Sequence, residues 1–197
     1  LAYAVNVDGP RHLAQESAKR GVPFIHYSTD YVFSGTKPDG YTEADTPDPI
    51  SKYGETKALG EKAVQDAGGR WFILRLSKIF GTPGLTDMSK PSFVHLMLKL
   101  AREQPELKIV DEEVGCPTYT KDVAQATQQL LVDGHSSGIY HIVNDGPGVT
   151  WYQFAEEIFS VHPVQISRHP VSSHTFGARP AARPQYTMLK NTKFPAL

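Results

Sequence analysis

The chain has 197 residues, and several things are scarce in it. A single cysteine, Cys116, excludes an internal disulfide and suits a reducing compartment, so a cytoplasmic location is expected. No apolar run nears the roughly 18 residues that a membrane-spanning helix needs, and no signal peptide is visible. Neither sign of charge dominates. The formal net charge is -1 and the basic residues are scattered, which argues against nucleic acid or an anionic membrane as partner. There are no internal repeats and no low-complexity tract. The eight histidines lack ligand spacing, so no metal site is expected. Hydrophobic residues make up 40% of the chain, enough to bury an ordinary globular core.

A phosphate cradle is also lacking. Dinucleotide-binding folds place a Gly-rich turn between the first strand and the first helix. Gly146-Pro147-Gly148 has the right setting, but Pro147 removes a backbone donor and Trp151 stands at the third glycine position. It reads as a plain turn.

What is present is an alternation of helices and apolar strands. A helix spans Ala2 to Arg20, with Gly9-Pro10 expected to kink it or shift its start. Strands are expected at 22–27, 70–76, 107–110 and 138–143, with one more at 164–167. Helices are expected at 50–67, over Phe93, Leu96, Met97 and Leu100, at 122–132, and from a Thr150 cap to about 160. Gly81 to Pro91 reads as irregular. The alternation implies an α/β fold with a parallel, Rossmann-like sheet. Because a helix comes first, the chain is expected to start inside a doubly wound fold, without its N-terminal strands. A sheet open at one edge should self-associate, and a homodimer is one form of that.

The chemistry lies in two short stretches. Ser28-Thr29-Asp30-Tyr31 ends a strand, where open α/β sheets place ligands. Tyr53 and Lys57, four apart, share a helix face. An ammonium near a phenol lowers its pKa towards working pH. Such a tyrosine can give a proton to a carbonyl oxygen, and a hydroxyl such as Thr29 can hydrogen-bond that oxygen.

Other candidates read as structural. Cys116 has no histidine partner and reads as a small buried residue. Asp111-Glu112-Glu113 could hold a cation, but an exposed acidic turn is the preferred reading.

Several stretches together carry a resemblance. They are Tyr27 to Phe33 (Tyr-Ser-Thr-Asp-Tyr-Val-Phe), Tyr53 to Lys57 with Gly60-Glu61, Gly115 to Thr118 (Gly-Cys-Pro-Thr), Asp122-Val123-Ala124, and Ile139 to Asn144 with Thr150-Trp151 and Phe154-Ala155. In that order they resemble the dTDP-4-dehydrorhamnose reductases, which are extended short-chain dehydrogenases/reductases. The resemblance implies truncation at both ends. It implies a half Rossmann domain over 1–80 and 119–145, and a small substrate-binding region over 81–118 and 146–197.

It also implies NADPH as hydride donor, with NADH left open, and a dTDP-sugar as substrate. Tyr53 would give the proton, Lys57 would hold the nicotinamide ribose, and Thr29 would polarise the carbonyl. Ser28, Leu76 and Asn6 would lie near the cofactor, although Asn6 reads equally well as a helix polar group bonding locally. Asp30 and Tyr31 would line the sugar. Arg179 and Arg183 would meet its diphosphate, since arginine suits bidentate phosphate bonds; simple surface positions are the other reading. Lys78 stands where family members often carry a stacking aromatic, and it would meet a phosphate instead. Two alternatives stay open: a regulatory protein resembling the beta subunit of methionine adenosyltransferase, and a reductase or epimerase for another nucleotide-sugar.

Overall fold

A computed structural model describes residues 1–84, 86, 89 and 91–195. The first helix is continuous but not uniform. A π-helical stretch at Ala4–Asp8 runs into α1 (Gly9–Lys19). Pro10 cannot donate to the Asn6 carbonyl four residues back, and the wider turn adjusts to that loss, with Gly9 N–H donating to Ala4 O. The chain then forms β1 (Phe24–Thr29), α2 (Lys52–Asp66), β2 (Trp71–Leu76) and β3 (Ile79–Phe80). α3 (Phe93–Glu103), β4 (Glu106–Val110), β5 (Thr118–Tyr119) and α4 (Thr120–Val132) follow. β6 (Gly138–His141), α5 (Trp151–Val161) and β7 (Ser167–Val171) complete the order. Of the segment expected to be irregular, Gly81 to Pro91, residues 85, 87, 88 and 90 lie outside the described residues.

β1, β2 and β6 form a parallel sheet in that order. Phe72, Ile73 and Leu74 of β2 are all fully buried, because both sheet faces are covered. Ile73 meets Ala14 of α1 and Val64 of α2 on one face. Phe72 and Leu74 meet Val123, Ala126 and Leu130 of α4 on the other. The expected α/β class with a parallel sheet is what forms.

A second layer pairs β4 with β7, also parallel, under α3 and α5. Thr150 caps α5 in a reciprocal capping box with Gln153. β7 lies three residues beyond the expected 164–167 strand, because Val164 and Ile166 are drawn into the second core. Its Pro170 is tolerated since β7 has β4 as its single partner. The two-residue pair of β3 and β5 was too short to read from sequence. The tail reaches back to the first layer. Leu189 bridges to Tyr41, and Phe194 packs among Phe72, Leu130 and Tyr140 of the first core. Apolar burial draws it back to the sheet.

Two contacts fix α2. Gly60 lies so close to the π-helical stretch before α1 that a Cβ there would sit 2.1 Å from the Asn6 carbonyl oxygen. Glu61, inside the protein, pairs with Arg75 of β2: Arg75 Nε and Nη2 donate to its two oxygens at 3.0 and 2.7 Å, and the Ser28 hydroxyl donates to one of them. Removing one partner of such a pair strands the other charge. Glu61→Ala should therefore lower stability by about 3–5 kcal/mol, measured by urea denaturation.

His26 and His141 are buried beside this pair, and each has an Nε2 without a partner. Burial lowers both imidazoles, His26 to about 4. The folded protein keeps His26 neutral, while the unfolded chain takes up a proton below pH 6.5. Stability should fall as pH drops from 6.5 to about 4, by on the order of 2 kcal/mol for His26 alone. Urea midpoints across that window check it, and His26→Gln should flatten the slope.

Candidate active site

The carboxyl end of β1 turns sharply. Thr29 caps a single 3-10 turn at Asp30–Val32, its Oγ1 accepting from Tyr31 N–H at 3.2 Å. The first turn of α2 presses on this turn. A Cβ at Gly54 would lie 2.1 Å from the Tyr31 carbonyl oxygen, so only glycine allows the approach. Ser51 caps the helix by accepting from Gly54 N–H at 3.1 Å. This sets the Tyr53 ring edge-on to Tyr31, with centroids 6.0 Å apart. Thr29, Asp30, Tyr31, Tyr53 and Lys78 then line one cleft of about 240 Å³, with Glu113, Trp151, Pro184 and Thr187 on its other walls.

Lys57 behaves differently from expectation. Its Nζ donates to the Tyr27 carbonyl at 2.6 Å, and burial lowers its pKa, with Glu61 opposing. The Tyr53 phenol is raised, not lowered, by burial; Thr29 pulls it down and Asp30 pushes it up. Half of the Tyr53 surface remains open to solvent. The ammonium that should have depressed it is held by a backbone carbonyl instead.

Asp30 is 4% exposed. Ser77 Oγ donates to its Oδ2 at 2.7 Å and Thr29 Oγ1 to its Oδ1 at 3.0 Å. Burial raises this carboxyl, and the hydroxyls of Ser77, Thr187 and Thr29 and the Lys78 charge oppose the rise. Lys78 has a positive φ of 39°. Its Nζ donates to the carbonyls of Glu113 (2.6 Å) and Val149 (2.8 Å) and sits 4.3 Å from the Trp151 ring centroid. Burial lowers it to about 8. Those two carbonyls hold the ammonium that was expected to meet a phosphate.

The acidic run is exposed at Asp111, as expected, but not at Glu113. Glu113 is 8% exposed. It pairs with Arg179, lies 3.7 Å from Arg183, and accepts from Trp151 Nε1 at 3.0 Å. Glu112 accepts from Ser173 N–H, and Asp111 from the Thr150 hydroxyl. The tail folds back on these carboxylates and buries the third. Glu113, Arg179 and Arg183 also line a neighbouring cleft of about 700 Å³.

Three expected cofactor residues turn elsewhere. Ser28 alternates away from Thr29 and donates to Glu61. Leu76 packs against the Phe72 and Leu74 core. Asn6 Nδ2 donates to Thr56 Oγ1 at 3.0 Å, which in turn donates to the Tyr53 carbonyl, so Asn6 braces α2. Cys116 is buried, as expected. Sequence reasoning gave no site role to Glu61, Glu113, Trp151 and Thr187. Ser77 carried a signal, being a small hydroxyl just beyond a strand's carboxyl end, like Thr29. Among the described residues, no cluster of three metal-binding side chains forms and no helix is long and apolar enough to cross a membrane.

This arrangement of a parallel sheet with a Thr, Tyr and Lys at its carboxyl end is of the short-chain reductase kind. All 197 residues match the sequence model described as RmlD substrate binding domain, and the chain belongs to that family. It is 37% identical over 190 residues to spore coat polysaccharide biosynthesis protein SpsK of Bacillus subtilis, covering 96% of this chain and 64% of that protein. It is 39% identical over 198 residues to a dTDP-4-dehydrorhamnose reductase of Sinorhizobium fredii, covering 95% and 64%. The chain thus spans somewhat less than two thirds of the length of these relatives. Among solved structures, dTDP-4-dehydrorhamnose reductase of Bacillus anthracis in complex with NADP superposes with a TM-score of 0.88. That match has 34% identity and covers 99% of this chain and 68% of the other.

Glu113 holds the tail to the rest of the cleft. Glu113→Gln should loosen both arginines, and proteinase K should cut within residues 177–185 about tenfold faster than in the wild type; trypsin would not report this, because Pro180 and Pro184 follow the two arginines. Limited proteolysis followed by mass spectrometry reads this directly.

Proposed function

We propose that this chain carries the proton donor and the sugar site of an NADPH-dependent reductase. The reaction is reduction of the 4-keto group of dTDP-4-dehydro-L-rhamnose to dTDP-L-rhamnose. The observation that carries the reading is the shared cleft of Thr29 and Tyr53 at the carboxyl end of the parallel sheet. Its support from outside is membership of the RmlD substrate binding domain family and the names of the relatives.

The residues fit a nicotinamide ribose beside Tyr53. Lys57 has three N–H donors, of which the Tyr27 carbonyl takes one, and half of the Tyr53 surface is open. A bound reduced nicotinamide would supply the hydride. The chain's own residues do the rest. Tyr53, kept protonated by its raised pKa, gives its phenolic proton to the keto oxygen. Thr29 orients that oxygen. The walls formed by half-buried Trp151 and buried Pro184 and Thr187 keep water from it. Arg179 and Arg183, which face the larger cleft next door, hold the diphosphate there, drawn from Glu113 by its greater charge.

A second reading keeps the reaction and changes the sugar. It is favoured by Lys78, whose ammonium is tied to two carbonyls while the Trp151 ring lines the cleft beside it. A panel of nucleotide-sugars separates the two readings.

The test uses the whole protein to which this chain belongs. NADPH oxidation should be seen with dTDP-4-dehydro-L-rhamnose, and Tyr53→Phe should lower kcat by about 10²–10⁴-fold. No turnover with cofactor bound would favour a regulatory role. Turnover unaffected by Tyr53→Phe would sink the proton-donor assignment.

A further inference from the structure

The hydroxyl protons around Asp30 can be counted, and the count has a consequence for Thr29. Ser77 Oγ accepts from Cys116 N–H at 3.1 Å, and among the described residues the acceptor for its own proton is Asp30 Oδ2 at 2.7 Å, while the Thr187 hydroxyl donates to the Val114 carbonyl. Oδ2 is thereby an acceptor in either charge state of the carboxyl. A proton on Oδ2 would leave the hydroxyl proton of the buried Ser77 without an acceptor, so a proton on Asp30 is favoured on Oδ1, 3.0 Å from Thr29 Oγ1. Thr29 has one proton and already accepts from Tyr31 N–H. With Asp30 ionised, that proton points back at Oδ1, and the cleft meets only a lone pair. With Asp30 protonated, Oδ1–H donates to Thr29, and the Thr29 proton turns into the cleft.

From this geometry we propose that Asp30 is a positioning residue that sets the direction of the Thr29 hydroxyl. Its acid form makes Thr29 a second donor, beside Tyr53, to a carbonyl oxygen in the cleft. Its ionised form makes Thr29 an acceptor, suited to an alcohol. The inference rests on the reductase reading given above.

The surroundings make both forms accessible. Among the described residues, Asp30 has no cation in direct contact, because the Lys78 ammonium is turned to the Glu113 and Val149 carbonyls. Burial raises the carboxyl against its hydroxyl donors. The titratable and charged groups that face it are Tyr31 on its own turn, Tyr53 from α2, Lys78 after β2, and Cys116 with Glu113 from the β4–β5 segment. The tail contributes the neutral Thr187. Lys78 titrates at about 8, so it is the group whose titration must be told apart from that of Asp30.

The test is the pH profile of keto-sugar reduction by the whole protein. In the wild type, kcat should fall as pH rises through the Asp30 pKa, while KM changes less than about threefold. An amide at this position accepts from Ser77 on its oxygen and donates to Thr29 from its nitrogen, without titrating. Asp30→Asn should therefore lose that fall and run flat, about tenfold below the wild-type plateau. Asp30→Leu removes the donor and should lose about 10²–10³-fold, the scale of one oxyanion donor. Lys78→Met removes the neighbouring titration near 8 and, by taking away a charge that lowers Asp30, should keep the Asp30 limb and move it to higher pH.

A second readout needs no turnover. Infrared difference spectra of the wild type should show a carboxylic-acid band that titrates with the rate and is absent in Asp30→Asn. A limb that persists in Asp30→Asn, or a carboxyl already ionised where the rate is highest, overturns the proposal. Where the variants fail to fold, the wild-type infrared titration decides alone. If the wild type reduces no keto-sugar, the proposed function falls, and the infrared band still tests the Asp30 assignment.

Discussion

The buried pair of Glu61 and Arg75 is the contact on which the site depends. It ties α2 to β2, and through Ser28 it ties α2 to β1 as well. Thr29 is the next residue on β1, and Tyr53 lies two turns before Glu61 on α2. The pair therefore fixes the distance between Thr29 and Tyr53 without touching either. Two charges at 1% and 3% side-chain exposure are costly to desolvate, and a hydrocarbon pair of the same volume would hold the helix as firmly. What a bidentate pair adds is register. It accepts one rotation of α2 and one slide along the sheet, whereas packed methyl groups accept several. Gly54 and Gly60 act the same way from the backbone side, each admitting an approach that a Cβ would block.

Legibility from sequence followed contact distance along the chain. The parallel sheet, α2 and the placing of Thr29 and Tyr53 in one cleft could be read, because each rests on a local pattern: an apolar run, a cap, or a spacing of four. Residues whose direction depends on distant partners could not be read. Lys78 is held by carbonyls 35 and 71 residues away, and Arg179 by Glu113, 66 residues away. Lys57 shows the same limit at shorter range. Its spacing from Tyr53 puts both on one helix face, but the Tyr27 carbonyl decides where the ammonium ends. Periodicity fixes where a side chain starts and says little about where four methylenes carry its head. Ser28 is the opposite case, since strand alternation alone turns it to the face away from Thr29.

The second layer and the tail make the cleft more than a strand end. The sheet alone would present Thr29, Asp30 and Tyr53 to open solvent, where a hydroxyl competes poorly with water for a carbonyl oxygen. Trp151 at the start of α5 and Thr187 in the returning tail close over them. The closure is held by charge. Glu113 gathers Arg179, Arg183 and the Trp151 indole at one point. On the proposed reading, a diphosphate arriving in the adjoining cleft would draw on the same two arginines, and ligand capture and tail position would then be coupled through one carboxylate.

That coupling accounts for where this protein tolerates poorly solvated polar groups. Asp30, Glu113, Lys78 and Ser77 are buried or nearly so, and three of them are ionisable. A fold optimised only for stability would replace them with aliphatic side chains, since each carries a desolvation cost that its hydrogen bonds only offset. They lie around a single cleft at the carboxyl end of the sheet, whereas the surrounding cores of Phe72, Leu74 and Leu130, and of Phe154 and Ile158, are apolar. Concentrating that cost at one place is what a site needs when it must hold a proton ready and keep water out. Cooperative packing of the two cores keeps the polar cleft from relaxing into solvent.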